Sequence, residues 1–129
     1  MTTQELTAEQ IVKKYYELAN KGDWDAWSDL FALDQVMDEQ LAGHIEGRET
    51  LRDMMKGFPN MYASFANVPQ HFVIGVDGET AAVVSHISAK THEGATIEAR
   101  VCNYFRTENG LITYMANYHD TAPFAVLAK

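Results

Sequence analysis

Asn117, His119 and Asp120 stand close together near the C-terminus and bring an amide, an imidazole and a carboxylate to one short stretch. These are the groups that acid–base chemistry on a small molecule uses, to carry a proton and to hold the oxygen on which charge develops. Asn103 belongs with them because it interrupts an apolar row. Ala95, Ile97, Ala99, Val101, Asn103 and Phe105 alternate with Thr96, Glu98, Arg100, Cys102, Tyr104 and Arg106, the period of two of a half-buried strand. An amide on the buried face of such a strand needs a partner or a ligand. Strict alternation puts Asp120 on the face opposite Asn117 and His119, and only a bulge would turn both His119 and Asp120 inward. The alternative is a local His119–Asp120 pair at the sheet edge without chemistry. Tyr15 is a further candidate on a buried helix face. Its ring suits a core, but a buried phenol requires a hydrogen-bond partner.

The remaining reactive side chains are read as structural. His44, His71 and His92 are scattered without metal-ligand spacing, so no metal is expected. Cys102 faces outward by parity and has no basic neighbour to make a thiolate. Ser85 and Ser88 lack the strand-turn-helix context of a nucleophile elbow. The methionines read as core filling.

The elements that must position these residues are marked along the chain. Thr7 and Gln10 have capping-box spacing, with Leu6 and Ile11 as a hydrophobic staple. Ile11, Val12, Tyr15, Leu18 and Ala19 share one helical face, and Gly22 suits a left-handed cap. Asp23 caps a second helix with Trp24, Trp27, Leu30 and Phe31 inward. Asp34 to Ile45 reads as a strand and loop, and a third helix carries Leu51, Met54, Met55 and Phe58 up to Pro59. Strands follow over Phe65–Val76, Ala81–Thr91, Ala95–Thr107 and Leu111–His119, the last two joined by an Asn109-Gly110 turn. Helices followed by antiparallel strands predict one α+β domain over residues 1–129, with three N-terminal helices packed on a strongly curved antiparallel sheet that encloses a cavity. Ile112, Tyr114, Ala116 and Tyr118 share the outer face with Cys102 and Tyr104. That face is too apolar to be wet, and a homodimer through it is expected.

Charge and cysteine content narrow the partners. The formal net charge of −8, with no basic run, speaks against nucleic acid and an anionic membrane surface. The single cysteine excludes an internal disulfide and fits a reducing compartment. A polar start without a signal pattern adds the expectation of a cytoplasmic protein.

Asn20-Lys21-Gly22-Asp23-Trp24, Glu46-Gly47-Arg48-Glu49, Val76-Asp77-Gly78-Glu79, Tyr104-Phe105-Arg106 and Gly110-Leu111-Ile112, in this order, resemble the nuclear transport factor 2-like superfamily, in its SnoaL-like and ketosteroid isomerase-like branch. The resemblance spans Glu5 to Phe124 and implies a cystatin-like cone. It implies Asp38, nine residues before Gly47, as general base and Tyr15, seven before Gly22, as oxyanion donor. Asn103 stands where the isomerases have a protonated aspartate, and an amide can donate there without a raised pKa. SnoaL-like cyclases imply Asp120 as a rival acid or base. His119, Asn117, His86, Met115 and Trp27 are then expected to bind the substrate, and His86 with Ser88 makes the cavity more polar than a steroid site. The resemblance implies cofactor-free isomerase, dehydratase or cyclase chemistry on a small carbonyl-bearing compound. The alternative is a non-catalytic dimeric binding module of the same fold.

Overall fold

The Thr7 hydroxyl oxygen accepts a hydrogen bond from the Gln10 N–H, and the Thr7 N–H donates in return to Gln10 Oε1, at 3.2 and 2.9 Å. This closed capping box starts helix α1, Ala8–Lys21, in the computed structural model, which describes residues 5–128. Gly22 stops it at φ 72°, a conformation that costs glycine little. Asp23 caps the short α2, Trp24–Ser28, through the Ala26 N–H. The chain then runs through strands β1 (Phe31–Glu39) and β2 (Gly43–Glu46), helices α3 (Arg48–Met55) and α4 (Phe58–Met61), and strands β3 (Ser64–Ile74) and β4 (Thr80–Lys90). Strands β5 (Thr96–Glu108) and β6 (Leu111–His119) and a 3-10 helix at Ala122–Ala128 complete it. Asn109 and Gly110, both at positive φ, turn β5 into β6 as their types require. Among the described residues no helix is long and apolar enough to cross a membrane.

The α+β class is as expected, but the strongly curved antiparallel cone is not what forms. The six strands make one open, mixed sheet in the order β2-β1-β6-β5-β4-β3, with edges at β2 and β3. Its mixed character comes from β1, which lies parallel to β6. The expectation of an all-antiparallel sheet rested on the four C-terminal strands, which do pair in that way. Leu30 and Phe31, read as the end of a helical stripe, instead lead into β1, and Leu30 accepts the Ile112 N–H at 2.8 Å. The segment taken as strand and loop is the β1–β2 hairpin. The helical layer holds four helices rather than three, since Pro59 sits in the first turn of α4, where its missing N–H costs little.

Helix α1 packs on β3, β4 and β5, and α3 packs on β1 and β2. Two buried clusters result. One joins Ile11, Val12, Phe31, Phe105, Ile112 and Met115, and the other joins Tyr62, Ile87, Ala99, Val101 and Phe124. Ile112 therefore belongs to the core and not to the outer face. A register shift after Arg106 pairs Tyr114 with Arg106 but Ile112 with Thr107, so the two change sides across the irregularity.

Candidate functional site

Between the two buried clusters lies a cavity of about 400 Å³ that takes wall residues from both. Its apolar wall includes Trp24, Phe58, Tyr62 and Phe65, whose rings meet at 4.6 to 5.4 Å. Such aromatic packing favours a flat apolar ligand. The polar side is built from strands. In β1 alternate residues Met37 and Glu39 line the cavity; in β5 Asn103 does, and in β6 Asn117 and His119. Register sets these side by side, because Glu39 pairs with Asn117, and Asn117 with Asn103.

Glu39 and His119 form the shortest-range charged contact of this wall. Glu39 Oε1 lies 2.6 Å from His119 Nε2, with side-chain exposures of 17% and 5%. Glu39 Oε2 accepts the N–H groups of Leu41 and Ala42, each at 3.1 Å. The other ring nitrogen of His119, Nδ1, faces the Asp120 carbonyl oxygen at 2.9 Å. Both nitrogens thus face acceptors. Either neutral tautomer of the ring donates to one of these acceptors, and the tautomer decides which. A carboxylate has about four lone-pair sites, and three are occupied here. One lone-pair site of Glu39 is therefore left for a ligand.

Around this pair stand donors. Burial, then the Glu39 carboxylate, pushes the Tyr62 phenol up to about 12 and raises the Tyr15 phenol as well, so both cavity-lining hydroxyls remain protonated. Asn103 is fixed by three contacts. Its Oδ1 accepts from Tyr16 at 2.6 Å and from Ser85 at 3.5 Å, and its Nδ2 donates to Asn117 Oδ1 at 2.6 Å. Tyr16, not Tyr15, is the phenol that holds it.

Residues 12–115 match the family model described as the SnoaL-like domain. The chain belongs to that family. Solved structures of similar shape include nuclear transport factor 2-like proteins. A nuclear transport factor 2-like protein of unknown function from Burkholderia pseudomallei superposes with TM-score 0.83 at 21% identity, covering 92% of this chain and 95% of that one. One from Cytophaga hutchinsonii, also of unknown function, gives 0.76 at 22% identity over 97% and 99%. The epoxide hydrolase/cyclase-like enzyme SalBIII, of pyran ring formation in the polyether salinomycin, gives 0.77 at 21% identity over 89% and 92%. At these identities the likeness establishes the fold alone. No curated protein matches the sequence.

In this SnoaL-like chain the structure brings together Tyr15, Trp27, Asn103, Asn117 and His119 on the cavity wall. Met115 lies in the core cluster and is fully buried. Asp38, Asp120 and His86 do not join the cavity. Asp38 sits between Met37 and Glu39, so the pleat turns it to the opposite face, where it accepts from Tyr114 at 2.7 Å and pairs with His44 at 2.7 Å. Asp120 caps the 3-10 helix through the Ala122 N–H. His86 pairs with Glu98 at 3.0 Å on the outer face. Glu39, Tyr16, Tyr62 and Asn67 carry polar groups of the site or its support that sequence reading did not single out. For Glu39 the parity of Met37 was an available signal. Among the described residues no group of three or more His, Cys, Asp and Glu is arranged to hold a metal ion.

The outer-face cluster carries its own expectation. His44 is hydrogen-bonded by Asp38 at one nitrogen and by Glu46 at the other, and these contacts raise it above the ordinary 6.5. Its hydrogen bonds to His44 and then Tyr114 lower Asp38. The sign follows for each. The His44 contribution to stability is present below pH 6.5 and is lost as pH rises through the raised value; that of Asp38 is lost as pH falls through its depressed value. In an NMR titration His44 is expected to titrate above 6.5, and Asp38→Asn to move it down. A midpoint at or below 6.5 in the unsubstituted protein would contradict the paired geometry.

Proposed function

We propose that the protein is a cofactor-free acid–base enzyme acting on a small carbonyl-bearing compound, with Glu39 as the proton-transferring group. The observation that carries this reading is the 2.6 Å Glu39–His119 contact on the wall of an aromatic cavity. Glu39 takes a proton from the carbon next to the carbonyl and returns it to another position. Tyr15 donates to the oxygen on which charge develops, from a wall where burial keeps its hydroxyl protonated. His119 does not leave the carboxylate and offsets its charge through the cycle. Cyclase or isomerase chemistry is in keeping with the epoxide hydrolase/cyclase-like enzyme of similar fold.

The test needs an enolisable ketone that the cavity admits. Purified protein with 2-tetralone in D2O, followed by proton NMR, should show loss of the signal next to the carbonyl faster than buffer or than denatured protein. Exchange at the background rate, with 2-tetralone bound, would favour the alternative, a binding module without catalysis.

A second copy of the chain is proposed to cover the outer sheet face. Tyr118, Cys102 and Val84 make one row across β6, β5 and β4, and Val84 and Tyr118 are exposed there. Val68 and Val73 on β3 are exposed too. Sedimentation at micromolar concentration should give twice the 14.5 kDa chain mass, and Tyr118→Asp with Val84→Asp should return it to one. A monomer before substitution overturns this.

A further inference from the structure

The cavity also holds two polar side chains that the acid–base pair does not use. Asn67, 5% exposed, has an amide oxygen without a hydrogen-bond partner, and the indole N–H of Trp27, 3% exposed, has none either. Both residues line the cavity. Buried polar groups are rarely left unpaired in a folded protein, so each such group asks for an explanation.

Asn67 is built to be held in place. Asn20, at the end of α1, accepts its N–H at 2.7 Å and donates to its carbonyl at 2.9 Å. This clamp fastens the backbone of edge strand β3 to α1 and leaves the Asn67 amide out of the exchange. Position is equally informative. Asn67 lies on β3 and His119 on β6, with β4 and β5 between them, so the two are three strand spacings apart, roughly 14 Å across the sheet. The aromatic wall of Phe58, Phe65 and Trp24 belongs to the same cavity, and no Lys or Arg among the described residues lines it.

We propose that Asn67 and Trp27 form a second polar subsite, which binds an uncharged hydroxyl at the far end of a flat apolar ligand whose reacting end lies at Glu39. The subsite rests on the reading of the cavity as a ligand site. An indole N–H only donates, whereas an amide both donates and accepts. The unpaired Asn67 oxygen and the Trp27 N–H together suit a hydroxyl, which donates to the first and accepts from the second. A carboxylate or phosphate in the same place would be buried without a counter-charge, which is far more costly than burying a paired neutral group. The ligand class is thereby narrowed to molecules with neutral oxygens at both ends.

The test compares 4-hydroxybiphenyl with 4,4′-dihydroxybiphenyl, which differ in one distal oxygen, by NMR titration of the whole chain. The second is expected to bind about tenfold more tightly, as a site with unpaired hydrogen-bonding groups should prefer the ligand that pairs them. Asn67→Leu should bring the two affinities close to equality while the affinity for 4-hydroxybiphenyl is kept. Trp27→Phe retains a ring and removes the N–H, and should also reduce the ratio. 4′-Hydroxybiphenyl-4-carboxylate should bind no more tightly than 4-hydroxybiphenyl. Equal binding of the two phenols by the unsubstituted chain, a ratio that survives both substitutions, or a preference for the carboxylate would each overturn the subsite. None of the probes has a proton on carbon next to a ketone. An Asn67-dependent ratio without 2-tetralone exchange leaves the subsite standing and removes the catalytic reading, and the reverse result removes only the subsite.

Discussion

Glu39→Gln is expected to slow deuterium exchange into 2-tetralone by roughly two to four orders of magnitude, the range that a positioned general base contributes. The substitution keeps the length and most of the hydrogen-bonding shape of the side chain. It removes the group that accepts the proton. The loss should therefore fall on kcat, with KM little changed, since the aromatic wall that holds the ketone is untouched. His119→Gln should also be slow, for another reason: Glu39 would keep its two backbone donors but lose the ring that balances its charge. A shifted pH profile for His119→Gln would separate that supporting role from direct proton transfer. Asp38→Asn and Asp120→Asn provide the contrast, because one carboxylate faces away from the cavity and the other caps a helix. If either of these stops exchange while Glu39→Gln does not, the proton passes elsewhere.

The difference between Asp38 and Glu39 shows where reading the sequence stops. A strand's period is visible in its residue types, but its phase depends on where the strand begins and on irregularities within it. Around β1 the marks were weak: Leu30 and Phe31 fit a helical stripe as well as a strand, and the register against β6 shifts between Phe31 and Val36. Spacing to Gly47 pointed to Asp38, while the pleat that turns Met37 inward turns Glu39 with it. In β5 the pattern is clean. Ile97, Ala99, Val101, Asn103 and Phe105 are all buried, so Asn103 could be placed from its neighbours.

Long-range pairing was less legible than local structure. The capping box of α1 and the Asn109-Gly110 turn are set by residues close in sequence and appear as expected. The parallel β1–β6 pair joins segments separated by most of the domain, and nothing local marks it. It also makes β2 one edge of the sheet, opposite the edge at β3. Asn67 and Asn20 escaped notice for the same reason, since a side chain that clamps the backbone of a distant strand leaves no trace in periodicity.

Asn103→Leu tests whether the polar floor of the cavity is a unit. The substitution conserves approximate size, so its cost should come from the partners it abandons. Tyr16 is 2% exposed, and burial above all raises its phenol, which stays a donor at neutral pH and loses its acceptor at 2.6 Å. Leaving one such group unpaired costs about 1–3 kcal/mol, and the loss of the Asn117 contact adds to it, so a total of about 2–4 kcal/mol is expected in denaturant unfolding. The decisive measurement is a change in cost between two backgrounds. Tyr16→Phe alone should destabilise by about 1 kcal/mol because it removes a buried hydrogen bond. In the Asn103→Leu background the same substitution should cost less than it does alone, since the hydroxyl has already lost its 2.6 Å acceptor and keeps only Ser85 within reach. Replacing both partners by apolar groups of similar shape can be nearly neutral, whereas replacing one is not. If Tyr16→Phe destabilises equally in both backgrounds, the two residues are energetically independent and the 2.6 Å contact is not what holds Asn103 in the cavity wall.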